Sequence, residues 1–439
     1  MGQEKKKKAA LHNLGCKVNA YETEAMRQLL EEAGYEIVEF REKADVYIVN
    51  TCSVTNIADR KSRQMLHRAK RQNPDAIVVA AGCYAQTKTD EARRDDAVDL
   101  IIGNNKKGEL IAALQAYEAD KQHAELVTRI SCRQPYEQLS IRRSAEHTRA
   151  FLKVQDGCNQ FCSYCIIPYA RGRIRSREVS DVVAEVKELA LNGCKEIVLS
   201  GIHLSSYGTD REENLLELIK AIAQVEGIQR IRLGSLEPLI VTEAFAKELS
   251  GVDKICPHFH LSLQSGCDSV LKRMNRAYTA EEYKKSCALL RRYFSHPAIT
   301  TDVIVGFPGE TAEEFETTKA YLREIGFYEM HIFKYSRREG TKAAGFPCQI
   351  AESEKARRSE ELIALADQMS EEFRNFYIGK ETEVLFEEPF LFEGRQYYAG
   401  YTKEYVKIAL LSGENLSNSV KKGRVTGRLD QETYLMVEF

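Results

Sequence analysis

No run of about eighteen apolar residues occurs anywhere in this 439-residue chain, so nothing in it reads as a membrane-spanning helix. The charged opening Met1-Gly-Gln-Glu-Lys-Lys-Lys-Lys leads into a short Ala-Ala-Leu and has no apolar signal-peptide core, which points to a cytoplasmic address. An excess of charge is also missing. The formal net charge of −2 excludes any nucleic-acid argument from overall charge, so such an argument must rest on local patches. The third absence is a ligand. Cys158-Asn159-Gln160-Phe161-Cys162-Ser163-Tyr164-Cys165 brings three thiols within eight residues and no fourth beside them. In a reducing compartment such a set holds iron–sulfur or zinc sooner than disulfides. A closed site normally has four protein ligands, whereas three thiolates on a four-iron cluster leave one iron open.

Length allows about three domains. Residues 8–117 alternate short apolar runs with amphipathic helical patterns, the signature of an α/β domain with a mostly parallel sheet. Strands are predicted at Ala9–Asn13, Val46–Asn50, Ile77–Ala81 and Leu100–Ile102. Cys16, Cys52 and Cys83 follow the first three of these. In a parallel sheet those strand ends share one edge, so three cysteines more than thirty residues apart are expected to converge as a second three-thiol set. Residues 118–148 read as a polar linker.

From residue 151 six βα units follow, with strands at Phe151–Gln155, Glu196–Leu199, Arg230–Leu233, Phe259–Leu263, Thr301–Val305 and Glu329–Phe333. Right-handed crossovers would curl them into a partial parallel barrel with its chemistry at the strand C-terminal ends. There stand Gly201 with His203, Gly234 with Glu237, Gln264, and the loop Gly306–Glu310, where glycines would let a ligand approach the backbone and carboxyl or amide groups would fix it. His203 reads equally well as a loop histidine or a base. A long helix over 351–376 precedes period-two alternation that predicts a small antiparallel barrel. The expected domains are residues 1–135, 140–376 and 377–439.

Two basic features stand out. Arg171, Arg173, Arg175 and Arg177 recur with period two, which would place them on one side of an extended segment, and residues 141–178 hold eight Lys/Arg against three Asp/Glu. A helix over 55–71 carries Arg60, Lys61, Arg63, Arg68, Lys70 and Arg71, a solvated face or a phosphate contact. The terminal barrel holds eight basic against ten acidic residues, so charge assigns it no role. Cys132, Cys194, Cys256, Cys267, Cys287 and Cys348 fall singly in the chain and read as ordinary buried or half-buried thiols.

The segment GCNQFCSYCIIPYARGRIRSR resembles the radical S-adenosylmethionine signature as it stands in the methylthiotransferase family. With Cys16, Cys52, Cys83 and a terminal barrel resembling a TRAM domain, the likeness runs through nearly the whole chain. The wording LGCKVN (14–19), NTCSVTNIADRKSRQ (50–64) and AAGCYAQ (80–86) is most like the branch that acts on threonylcarbamoyladenosine in tRNA. The other branches act on isopentenyladenosine in tRNA or on a ribosomal-protein aspartate. A non-catalytic iron–sulfur RNA-binding regulator is the alternative from a different class. The resemblance implies two [4Fe-4S] clusters, one on Cys16, Cys52 and Cys83 and one on Cys158, Cys162 and Cys165. It also implies S-adenosylmethionine used both as methyl donor and as radical source, contacted by Gly201, Gly234, Glu237, Gln264, Gly306 and Glu310. The expected product carries a methylthio group at C2 of adenosine 37 in the anticodon loop. The implied partners are tRNA and a reduced flavodoxin or ferredoxin-type electron donor, with no membrane. The usual Gly-Gly-Glu wording of radical enzymes is absent after the second barrel strand.

Overall fold

The computed structural model describes residues 6–120, 124–143 and 148–438. Its N-terminal domain runs β1 (Lys8–Asn13), α1 (Lys17–Glu32), β2 (Glu36–Val38), β3 (Val46–Thr51), α2 (Asn56–Gln72), β4 (Ile77–Gly82), α3 (Cys83–Thr87), α4 (Thr89–Arg93), β5 (Leu100–Ile102), α5 (Leu110–Asp120) and β6 (Ala124–Leu126). The sheet order is β2-β1-β3-β4-β5-β6, and every pairing is parallel. β3 and β4 are buried along their whole length, which is why they read as unbroken apolar runs. The Thr55 side chain caps α2 by accepting from the Ala58 N–H at 3.1 Å. The short edge strands β2 and β6 were missed in the sequence, and β6 lies inside the stretch expected to be a linker.

The second domain contains β7 (Arg149–Asp156), α6 (Ile167–Arg171), β8 (Arg175–Ser176), α7 (Val179–Leu191), β9 (Glu196–Gly201), α8 (Leu215–Ala223), β10 (Arg230–Leu233), α9 (Glu243–Ser250), β11 (His258–His260), α10 (Asp268–Arg273), α11 (Ala280–Tyr293), β12 (Ala298–Val305), α12 (Ala312–Ile325), β13 (Glu329–Lys334) and α13 (Glu352–Asn375). β7, β9 and β10 pair in parallel, as do β11, β12 and β13. Isolated parallel bridges at Ile231–Ile255 and Leu236–Leu261 join the two halves into one curved sheet. The helices cover its outer face with the largest apolar core, from Leu152 and Val154 through Leu199 and Leu233 to Leu261 and Val303. Thr311 and Glu314 form the expected capping box, and Thr279 with Glu282 forms another.

The last domain is a closed barrel of β14 (Glu381–Phe392), β15 (Arg395–Tyr401), β16 (Lys407–Leu411), β17 (Val420–Arg428) and β18 (Tyr434–Glu438) in the order β14-β15-β16-β18-β17. One of its pairings, β16 with β18, is parallel, a departure from the purely antiparallel expectation. The barrel docks through Arg149, whose guanidinium lies over the rings of Tyr401 and Tyr405 at 5.3 and 5.0 Å. No helix among the described residues is long and apolar enough to cross a membrane.

Candidate functional site

The first thiol set forms where β1, β3 and β4 end side by side. Asn13 is level with Asn50, and Thr51 with Gly82. Cys16 is the N-cap of α1, Cys52 leaves β3, and Cys83 opens α3 directly after β4. Side chains lock these ends together: the Asn19 amide donates to the carbonyls of Leu14 (2.8 Å) and Thr51 (3.0 Å), and the Asn50 amide to the carbonyl of Asn19 (3.0 Å). Gly15 sits at φ +116, and a Cβ there would stand 3.1 Å from the Cys52 sulfur, so this glycine lets the first strand end close over the second cysteine. Burial, then the neighbouring Cys83 and Cys16 sulfurs, push the Cys52 thiol up to about 12. Three ionised thiolates therefore need a bound cation or cluster to coexist here.

The second set follows β7. Gly157, at φ +73, admits no side chain, because a Cβ would lie 1.9 Å from the Arg173 carbonyl oxygen, and the Cys158 N–H donates to the Gly172 carbonyl at 3.0 Å. Further along, the Ser163 N–H and hydroxyl donate to the carbonyls of Met274 (2.9 Å) and Arg273 (2.8 Å), tying the loop to the end of α10. Burial pushes Cys158 up to about 11 and Cys165 to about 12, with the Cys162 sulfur adding to both shifts. The Arg276 guanidinium, which the sequence did not single out, donates to the Cys162 sulfur at 3.1 Å. The same guanidinium pairs with Glu237 at 2.8 Å.

The width of each set bears on what it can hold. A tetrahedral zinc site with bonds of about 2.3 Å brings its sulfurs to within about 4 Å of one another. Among the described residues His260, Asp302 and His331 have all three ligating atoms within 4.8 Å of one another. A four-iron cluster takes three thiolates differently, each sulfur binding its own iron.

The remaining expected residues divide. Glu237 is buried and meets His203 Nε2 at 3.1 Å and the Gln160 amide at 3.2 Å. Burial raises its pKa, but the His203 hydrogen bond and the Arg276 charge outweigh this and hold it below the usual carboxylate value. Gln264 is buried at φ +73, where its backbone bridges to β12. Gly201, Gly234 and Gly306 are explained by the protein itself. An added Cβ would meet the Gln155 Oε1 at 2.8 Å, the Leu199 carbonyl at 2.8 Å and the Lys355 Cγ at 2.3 Å, so close packing alone already requires glycine at these positions. Glu310 is likewise engaged, accepting from the Gly306 N–H at 2.7 Å and from Arg358 at 2.6 Å, which fixes the loop it closes. Of the six lone cysteines, Cys132 and Cys348 are exposed, because both fall in loops and not in core elements.

The arginine series is not a solvent-facing row. Residues 167–171 are helical and only Arg175–Ser176 is strand, so the period-two argument fails. Arg171, Arg175 and Arg177 are buried, and Arg173 alone is exposed. Arg171 joins a sealed ion-pair network across the domain boundary. Glu22 of α1 meets Arg171 (2.9 Å), Lys153 (2.8 Å) and Lys107 (3.0 Å), while Asp156 meets Lys153 (2.7 Å), Arg171 (3.2 Å) and Arg175 (3.3 Å). The network adjoins both thiol sets. Asn104 donates to the Cys83 sulfur at 3.5 Å and to the Ala170 carbonyl at 2.8 Å, two residues short of the glycine that holds Cys158. On α2, by contrast, Arg60, Lys61, Arg68 and Arg71 are exposed and meet no carboxylate among the described residues.

Two family models match: the uncharacterized protein family UPF0004 over residues 8–103 and the radical SAM superfamily over 152–322. The chain is 42% identical to a threonylcarbamoyladenosine tRNA methylthiotransferase, MtaB, of Bacillus subtilis, over 95% of this chain and 93% of that one. It is 36% identical to a tRNA-2-methylthio-N(6)-dimethylallyladenosine synthase of Moorella thermoacetica, over 94% of each. Among solved structures it is similar in fold to the cobalamin- and [4Fe-4S]-bound radical S-adenosylmethionine methyltransferase TsrM of Kitasatospora setae, with a TM-score of 0.54, 16% identity and 75% of each chain covered. Identity of this extent, on a chain whose two thiol sets stand at the C-terminal edges of two parallel sheets, shows that the protein belongs to the radical SAM methylthiotransferase family, an enzyme family that works with S-adenosylmethionine and [4Fe-4S] clusters.

Proposed function

We propose that this enzyme methylthiolates C2 of N6-threonylcarbamoyladenosine at position 37 of tRNA. The observation that carries the reading is the pair of open three-thiol sets linked through Asn104 and Ala170. Its assignment to this branch is supported by 42% identity to the Bacillus subtilis enzyme against 36% to the dimethylallyladenosine synthase. In this reading Cys16, Cys52 and Cys83 hold one four-iron cluster, and Cys158, Cys162 and Cys165 the other. When bound, the clusters and S-adenosylmethionine supply the electron, the sulfur and the methyl group that the reaction consumes.

The chain's own residues do the rest. Arg276 orients Cys162 and Glu237 together, and Glu237 and Gln264 offer polar contacts to the cofactor. The loop 158–165 is pinned at both ends by Gly157 and Ser163, which keeps the three thiols in one arrangement. The exposed cations of α2 suit tRNA phosphates. Position 37 in the anticodon loop and a reduced flavodoxin or ferredoxin-type donor complete the proposal.

Nucleoside mass spectrometry decides it: tRNA from a strain lacking only this gene should lose 2-methylthio-N6-threonylcarbamoyladenosine and regain it on complementation. Persistence of that nucleoside refutes the assignment. Loss of the methylthio-isopentenyl nucleoside instead would move the enzyme to the other tRNA branch. Release of 5′-deoxyadenosine by the reduced, reconstituted protein separates it from a non-catalytic regulator.

A further inference from the structure

Beside the two thiol sets runs a groove of about 730 Å³ that none of the assignments above uses. Its walls come from the segment joining the first two domains, the helix after Cys83, and the loop and helix that follow Cys158. Val127, Ile130 and Pro168 line it with apolar surface. Two aromatic rings stand in it: Phe161, between Cys158 and Cys162, and Tyr169, 45% exposed, with their centroids 5.9 Å apart and edge to face. Phe161 has φ +50, a backbone state that a bulky residue holds only when its surroundings impose it, so the ring is presented by the loop.

The charges are arranged around these rings. The Arg173 guanidinium lies 4.9 Å above the Phe161 ring. Arg129 is exposed on the joining segment, and neither Arg129 nor Arg173 meets a carboxylate among the described residues. The one acidic residue in the lining, Glu125, is engaged by Arg93 at 2.7 Å. An exposed tyrosine ring and a half-buried phenylalanine ring, beside guanidinium groups that meet no carboxylate, suit unpaired nucleotides, since bases stack on rings while phosphates take the arginines.

We infer that this groove binds unpaired RNA nucleotides flanking the one that is modified, with Tyr169 and Phe161 as the stacking platform and Arg129 and Arg173 as phosphate contacts. This inference rests on the proposed tRNA substrate and deepens it. The groove shares the loop of one thiol set and the helix of the other, so nucleotides held there would be registered against both without touching a ligand cysteine.

The test uses the reconstituted full chain and a synthetic anticodon stem-loop RNA, followed by fluorescence anisotropy at several salt concentrations, with iron content measured for each protein. Tyr169→Ala should weaken binding by about fivefold or more, the usual effect of losing one base–aromatic stack. The double variant Arg129→Gln/Arg173→Gln should lower the slope of log K against log salt by about 1.4, since each single-strand phosphate contact contributes roughly 0.7. A stem-loop with abasic positions around the target should bind wild type and Tyr169→Ala alike. Should Tyr169→Ala lose iron, Arg129→Gln, on the segment joining the domains, decides alone through a drop in slope of about 0.7. Unchanged affinity and slope in a protein that still methylthiolates tRNA overturn the groove and leave the proposed function standing. A wild type that binds no stem-loop overturns both, and poly-glutamate bound as tightly as RNA, through the same residues, overturns the assignment to RNA.

Discussion

Replacing Arg276 by Met keeps the bulk of the side chain while removing its charge and its hydrogen bond to the Cys162 sulfur. A hydrogen bond to a charged group contributes about 1.5–3 kcal/mol, and this one favours the reduced, more negative state of a cluster bound there. For a one-electron couple about 1.4 kcal/mol corresponds to 59 mV, so the midpoint potential should fall by roughly 60–130 mV. The assay is an EPR-monitored redox titration in a Cys16→Ala/Cys52→Ala/Cys83→Ala background, where only the cluster on Cys158, Cys162 and Cys165 contributes. Arg276→Lys keeps the charge but not the planar fork and should recover part of the shift. Glu237→Gln leaves the sulfur contact and removes the carboxylate 2.8 Å from the guanidinium, so it should move the potential upward. An unchanged potential in Arg276→Met at full iron content would refute the reasoning and reduce Arg276 to a packing residue against Tyr278, whose ring lies 4.8 Å beneath it.

The same triple cysteine background should retain about half the iron of the reconstituted wild type, because one of two equal clusters is lost, and chemical iron analysis checks this. At the domain boundary, Glu22→Gln should cost about 3–5 kcal/mol in urea unfolding at neutral pH, because it leaves Arg171, Lys153 and Lys107 buried against a neutral amide. Burial raises the Glu22 pKa, but Arg171, Lys107 and Lys153 more than offset this and hold it well below the carboxylate range. Stability from this group is therefore complete above the unfolded value of about 4.3 and lost as pH falls towards the folded value. Acid unfolding of Glu22→Gln should lack that component.

Most of what the sequence made legible came from period and position. Parallel β1, β3 and β4 announced themselves as buried apolar runs, and once they were parallel the convergence of Cys16, Cys52 and Cys83 followed from topology alone. The edge strands β2 and β6 escaped because, unlike the equally short Leu100–Ile102, each includes a glutamate and forms no unbroken apolar run, and β6 was hidden in polar text. A turn that hugs a ligand and one that hugs its own neighbour have the same sequence, so the packing of the glycines after the barrel strands against Gln155, Leu199 and Lys355 could not be read beforehand. Arg276 carried no signal, since its role depends on meeting a sulfur 114 residues away. A capped helix start at Thr279 just beyond it was the nearest available hint of a fixed backbone.

The arginine series shows most directly how charge can mislead and still inform. Local excess of Lys/Arg around residues 141–178 suggested a surface for a polyanion, yet Arg171, Arg175 and Lys153 lie inside the protein with Lys107 against only two carboxylates, Glu22 and Asp156. Four buried cations against two anions leave an uncompensated positive surplus, which is costly in a dry interior unless negative charge stands nearby. The sulfurs of Cys16, Cys52 and Cys83 interact with Arg171 and would carry negative charge once a bound cation or cluster ionises them. The Cys83 sulfur raises the Arg171 pKa after Glu22 and Asp156 do, and Arg171 lowers that of Cys16 and Cys52. Thiolates on Cys16, Cys52 and Cys83 would supply part of the missing negative charge at the domain boundary. The basic excess thus lies mostly inside, where it ties α1 to the segment that carries the second thiol set, and of the arginine series only Arg173 stands exposed.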